Sequence, residues 1–299
     1  MAETDARWET TRERSTPFML RVLIRCALLL GRTGVRPIVH LTVVYFLLTS
    51  RSARTASRNF LRRALDREPG WVDVWRHFLT FATCSVDRIF FLTGRTRSFK
   101  IDVHRPADVL AVTSEQRGCL LIVAHFGSFE VLRLIGEGRS LPMMILLDRQ
   151  IGRMLMSLLE RLNPDFASQI IDASQRGPEL VLTLKELIEK KRMIGLMGDR
   201  PRAGDRTVTV DFMGAPAQLP IGPWMMAGVL GVPVILGFGL YRGGNSYDLY
   251  FELLSERIEL PRATREVAIQ ECAQRYARRL EHYARLAPYN WFNFYDYWQ

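Results

Sequence analysis

Residues 119–130 read CLLIVAHFGSFE. The apolar run from Cys119 to Ala124 has the length of a strand; it ends at His125, turns through Phe126-Gly127 and restarts at Ser128, with Glu130 close behind. A short run with no polar alternation, bounded by glycine, is expected of a strand covered on both faces, and so of a largely parallel sheet flanked by helices. One imidazole and one carboxylate then sit five positions apart at the mouth of a buried strand. An imidazole ionises near working pH, and an anion beside it fixes its tautomer and steadies its charged form. The spacing by itself is weak, because a chain with five histidines and 31 acids produces it readily by chance. None of His40, His77, His104 or His282 has an acid at that offset, and none follows an apolar strand-like run.

Strands are expected on both sides of this stretch, at 120–124, 143–147, 168–171, 193–197, 207–213, 232–240 and 247–254. Helices are expected at 71–92, 106–115, 129–137, 150–162, 176–191, 221–230 and 263–286. The last two strands, joined by YRGGNS, read as an antiparallel hairpin. The fold class is therefore α/β, with a mixed, largely parallel central sheet flanked by helices and a membrane-proximal helical segment ahead of it. Three regions follow: a polar tail at 1–16, a basic and hydrophobic helical region at 17–95, and an α/β domain at 96–299. No internal repeat or low-complexity tract interrupts them.

The chain has 299 residues and a formal charge of +10, and only four of its 41 cations are lysine (Lys100, Lys185, Lys190, Lys191). Residues 1–68 hold thirteen cations and six acids, so +7 of that charge lies in the first fifth. PFMLRVLIRCALLLG and PIVHLTVVYFLLTS are apolar, but neither is a clean span of about 20 apolar residues. With the arginine-rich 51–67 behind them, they suit a peripheral or monotopic helical hairpin, or one marginal anchor, on an anionic membrane surface. The arginines are not interleaved with aromatics as a nucleic-acid platform requires, so no nucleic-acid partner is expected. Cys26, Cys84, Cys119 and Cys272 are scattered and read as reduced packing residues. No metal-ligand cluster, G-x-S-x-G elbow, Walker lysine or HExxH is present, and no metal or cofactor is expected.

Beyond His125 and Glu130, charged groups follow two more strands. Gly198-Asp199-Arg200 closes the strand MIGLM, and Arg149 lies just past the strand at 143–147. Ligand sites of α/β sheets lie at that edge, so the three features converge if the strands are parallel neighbours. Ser128 is a candidate N-cap that places Glu130 in a first helical turn. In DFMGAPAQLPIGP, Gly214 and Pro216 read as a turn and Pro220-Ile221-Gly222-Pro223 opens a helix. Gly127, Ser128, Gly214, Pro220 and Gly222 are the candidate positions where backbone approaches a substrate.

These blocks occur in the order seen in the lysophospholipid acyltransferase superfamily, and the chain most resembles its branch of late lipid A acyltransferases and related acyltransferases. The H-x4-D/E motif of that family reads His125-Phe-Gly-Ser-Phe-Glu130 here. GCLLIVAHFGSFEVLRLIG, VDFMGAPAQLPIGPWMMAGVLGVPVI and the closing APYNWFNFYDYW are similar to its blocks, and the resemblance runs from about Pro17 to Trp298. It implies a glycerolipid acyltransferase-like fold and an O-acyltransferase at the cytoplasmic face of the bacterial inner membrane. The acyl group would pass from a thioester, acyl carrier protein or acyl-CoA, to a hydroxyl of a lipid or glycolipid. His125 would be the general base, Glu130 would orient and charge-stabilise it, and Arg149, Asp199 and Arg200 would assist catalysis or position substrate. Hydrolysis of the thioester on the same dyad, or lipid binding without chemistry, are the competing readings.

Overall fold

The computed structural model describes residues 17–115, 117–132, 142–147, 163–173 and 177–298. The tail 1–16, Arg149 and the helical expectations at 133–137 and 150–162 fall outside them. In chain order the elements are α1 (Pro17–Thr49), α2 (Arg51–Leu65), α3 (Trp71–Leu92), β1 (Lys100–His104), α4 (Ala107–Ser114), β2 (Cys119–Gly127) and β3 (Met143–Leu147). Then come α5 (Pro164–Ser168), β4 (Ile170–Asp172), α6 (Pro178–Glu189), β5 (Met193–Met197), β6 (Thr207–Phe212), β7 (Ala215–Pro220), α7 (Gly222–Leu230), β8 (Val234–Gly243), β9 (Ser246–Ser255) and α8 (Arg265–Leu286).

Seven strands form one sheet in the order β1-β9-β8-β2-β5-β3-β4. Every neighbouring pair is parallel except the β8–β9 hairpin, which turns through Gly243 and Gly244 at φ 96° and 59°. β2 is central, and its side chains divide by strand periodicity. Leu120, Ile122, Ala124 and Phe126 enter one buried cluster, while Cys119, Leu121 and Val123 enter a second on the opposite face. Both faces being covered explains the unbroken apolar run.

Two strands were not expected. β1 is an exposed edge strand, KIDVH, whose polar residues give no continuous apolar run. β7 carries Pro216 and Pro220, and the expected Gly214–Pro216 turn is corrected: the turn is Met213-Gly214, both at positive φ, and Pro216 lies in the strand opposite Asp211. Proline is tolerated there because β6 and β7 form a two-stranded sheet in which each strand is an edge.

The amino-terminal helices pack onto the α/β core, and residues of α1, α2 and α3 belong to the same buried cluster as β2 and α8. α1 is broken at Gly31 (φ 69°, ψ 178°), inside the expected Gly31–Gly34 break. Beyond the break, Arg32 grips buried Asp87 of α3 through two bonds of 2.6 and 2.8 Å, and Tyr247 of β9 donates its hydroxyl to the same carboxylate at 2.7 Å. On α3, His77 is fully buried. Its Nδ1 is 2.8 Å from Ser57 Oγ of α2, and its Nε2 is 2.8 Å from the carbonyl of Trp291. Among the described residues no helix is long and apolar enough to cross a membrane.

Candidate active site

β2 and β5 run parallel, with Val123 opposite Met197. Two residues further along each chain stand His125 and Asp199, and the register delivers them to one another. Asp199 Oδ1 lies 2.9 Å from His125 Nδ1, and Asp199 Oδ2 accepts the backbone N–H of His125 at 3.1 Å. Trp291 Nε1–H donates to Oδ2 at 3.1 Å, and the Tyr297 hydroxyl donates to the Asp199 carbonyl at 2.8 Å. Arg200 Nε adds positive charge 3.9 Å from Oδ2. Asp199 is wholly buried, whereas the His125 side chain keeps 34% of its surface exposed.

The electrostatics follow from these contacts. Burial alone would raise the Asp199 carboxyl, but the attraction and hydrogen bonds of His125, with Arg200 behind them, hold it below the usual carboxylate range. His125 is pulled the other way. Burial and the nearby Arg200 lower its imidazole below the ordinary value, against the stabilising pull of Asp199. The pair at neutral pH is therefore an ionised carboxylate and a neutral imidazole. A carboxylate only accepts, so the proton of the ring sits on Nδ1 and the Nε2 lone pair is left bare. Among the described residues Nε2 has no hydrogen-bond partner.

Glu130 is placed differently from its expected role. It is buried, with 3% of its surface exposed, and its Oε1 lies 2.5 Å from Arg88 Nε of α3, a charge contact rather than an aligned hydrogen bond. Ser128, expected as an N-cap, donates its hydroxyl to Glu130 Oε2 at 3.1 Å. The carboxylate that meets His125 is thus Asp199, and Glu130 joins the turn after β2 to α3.

The remaining candidates separate into two groups. Gly127 is at the site but is tightly packed: at φ 55°, a Cβ on it would lie 1.8 Å from the Gly239 carbonyl oxygen. Arg200 is 12% exposed, bonds the Phe292 carbonyl and stands over the Tyr295 ring at 5.3 Å. Gly214 is at the tip of the β6–β7 hairpin, Pro220 ends β7 opposite Thr207, and Gly222 begins α7. The hydrogen bonds around His125 and Asp199 run through none of these last three.

Residues 287–298 contribute more than the sequence indicated. Phe126 bridges to Trp291, the Phe292 N–H donates to the His125 carbonyl at 2.9 Å, and the Gly127 N–H donates to the Asn290 carbonyl at 2.8 Å. The Asn290 side chain in turn bonds both backbone groups of Tyr241 on β8. The closing segment therefore acts as a clamp over the end of β2. Its density of aromatics was the available signal, but nothing in it specified Trp291 and Tyr297 as partners of Asp199.

A titratable pair at the carboxyl edge of a largely parallel α/β sheet is the arrangement of an enzyme. The model of the family "Bacterial lipid A biosynthesis acyltransferase" matches residues 81–299, and the chain belongs to that family. It is an acyltransferase of a lipid-directed family, which implies an acyl donor and a lipid acceptor. No curated protein matches the chain.

Proposed function

We propose that the protein moves a fatty acyl group from a thioester, carried by acyl carrier protein or coenzyme A, to a hydroxyl of a lipid or glycolipid at the cytoplasmic face of the inner membrane. The observation that carries the reading is the Asp199–His125 contact, on a neutral imidazole about one-third exposed whose Nε2 has no hydrogen-bond partner among the described residues. His125 Nε2 takes the acceptor hydroxyl proton as the oxygen attacks the thioester carbonyl carbon. The tetrahedral intermediate then collapses, the C–S bond breaks, and the imidazolium returns its proton to the departing thiolate. Asp199 holds the tautomer and offsets the imidazolium charge. Ser128 is 1% exposed and engaged with Glu130, which favours direct transfer over an acyl-serine route.

The membrane half of the reading rests on the amino-terminal helices. Leu29, Leu30, Leu41 and Leu48 of α1 and Trp71 and Val72 of α3 are largely exposed, beside the arginines of α2. Apolar side chains with basic neighbours suit the interface of an anionic leaflet. Mass spectrometry of lipids from cells with and without the gene tests the proposal: an acylated lipid should vanish with the gene. Release of free fatty acid at an unchanged rate with or without an alcohol acceptor would instead make the enzyme a hydrolase.

A further inference from the structure

Between α1, α3, the end of β8 and the start of the closing segment lies a cavity of about 530 Å³, away from the Asp199–His125 contact. Four arginines line it, and they are not equivalent. Arg32 is consumed by Asp87, and Arg242 pairs with Asp248 at 3.0 Å. Arg36 and Arg76 are exposed and, among the described residues, have no acidic partner, with His40 beside them. The cavity thus offers two guanidinium forks that no carboxylate among the described residues neutralises, Arg76 also meeting the Tyr289 hydroxyl, in a pocket the size of a small-molecule site.

The rest of the lining also indicates the kind of anion. Val39 of α1, Leu79 of α3 and Leu286 at the end of α8 line the same cavity, Leu286 with 45% of its surface exposed. A guanidinium cavity with apolar side chains in its own wall matches a molecule with phosphate at one end and hydrocarbon at the other. A free anion would have no use for these apolar side chains.

We propose that this cavity binds the headgroup phosphate of a membrane lipid, through Arg36 and Arg76. The inference deepens the membrane-facing half of the functional reading. The site also touches the catalytic strand: Asn290 lines the cavity, and its carbonyl accepts the Gly127 N–H two residues past His125. An occupant would therefore rest against the clamp that holds the end of β2.

Calorimetric titration of the purified full chain with three soluble probes tests it, reading binding without turnover, so that it stands or falls separately from His125 chemistry. The probes are dihexanoyl phosphatidic acid, dihexanoyl phosphatidylcholine and inorganic phosphate. Phosphatidic acid should bind saturably, and at least about tenfold more tightly than either other probe, because phosphatidylcholine offers a diester phosphate already offset by its choline and inorganic phosphate brings no apolar part to the wall. Arg36→Gln with Arg76→Gln should weaken it at least about tenfold. Arg25→Gln with Arg97→Gln, an equal charge loss at exposed positions outside the cavity, should not. Equal affinity for phosphatidylcholine, unchanged binding in the first double variant or equal loss in the second would overturn the proposal. Inorganic phosphate binding as tightly as phosphatidic acid would overturn the assignment to a lipid.

Discussion

Asp199 Oδ1 stands 2.9 Å from His125 Nδ1, although 74 positions of chain separate the two residues. Parallel pairing of β2 with β5 accounts for it, since each residue lies two places beyond a register pair, Val123 and Met197. The same carboxylate also receives the His125 backbone N–H and the Trp291 indole, so its position is fixed from three directions.

Replacing that carboxylate should damage turnover in a recognisable way. Asp199→Asn keeps the shape but presents an amide that can donate to Nδ1, which moves the ring proton to Nε2 and removes the base. Acyl transfer should fall at least about a hundredfold. The sign of the pH effect also follows. His125 sits below its ordinary value, so the wild-type rate should be full at neutral pH and fall as pH drops through a point below 6.5. Asp199 favours the imidazolium, so its loss should carry that acid limb to still lower pH. A pH profile of the residual rate checks both, and an unmoved limb with a normal plateau would contradict the pairing.

Glu130→Gln should behave otherwise. Its charge answers Arg88, so the change should cost about 1–3 kcal/mol of stability, discounted because Arg88 is 38% exposed. The acid limb of the rate profile should move less than in Asp199→Asn. Parallel denaturation curves and pH profiles of the two variants separate the roles.

Gly127→Ala tests the clamp. The added methyl group would meet the Gly239 carbonyl oxygen at 1.8 Å, in a backbone region that L residues avoid. A loss of about 3 kcal/mol or more is expected by denaturant titration. A variant as stable as the wild type would show that the end of β2 is looser than described.

His77 gives a pH-dependent stability. Burial pushes its imidazole from 6.5 down to about 4, against the Trp291 carbonyl bond that favours the charged form. The unfolded chain takes up this proton near 6.5 and the folded chain only near 4. The contribution is therefore whole above 6.5 and is lost as pH falls toward 4, amounting to roughly 3 kcal/mol. His77→Gln cannot titrate and should flatten the melting temperature across that window, whatever its cost at neutral pH.

The sheet was legible where burial is two-sided. β3 and β5 coincide with their expected limits, and β2 extends its expected core, because continuous apolar runs have few alternatives. β1 and β7 were not, since an exposed edge and a proline-bearing hairpin strand carry little of that signal. At the site, His125 could be singled out by its place after β2. Its partner could not, because Glu130 is near in sequence while Asp199 is near only once two strands are put in register. The Trp291 and Tyr297 contacts depend on the same tertiary fact and were hidden among the closing aromatics.

General-base catalysis by His125 is tested most sharply by the single-turnover rate of acyl transfer from an acyl-carrier thioester to membrane lipid by His125→Ala. A loss of at least about a hundredfold is expected, in a protein that melts near the wild-type temperature. Transfer at the wild-type rate would contradict it.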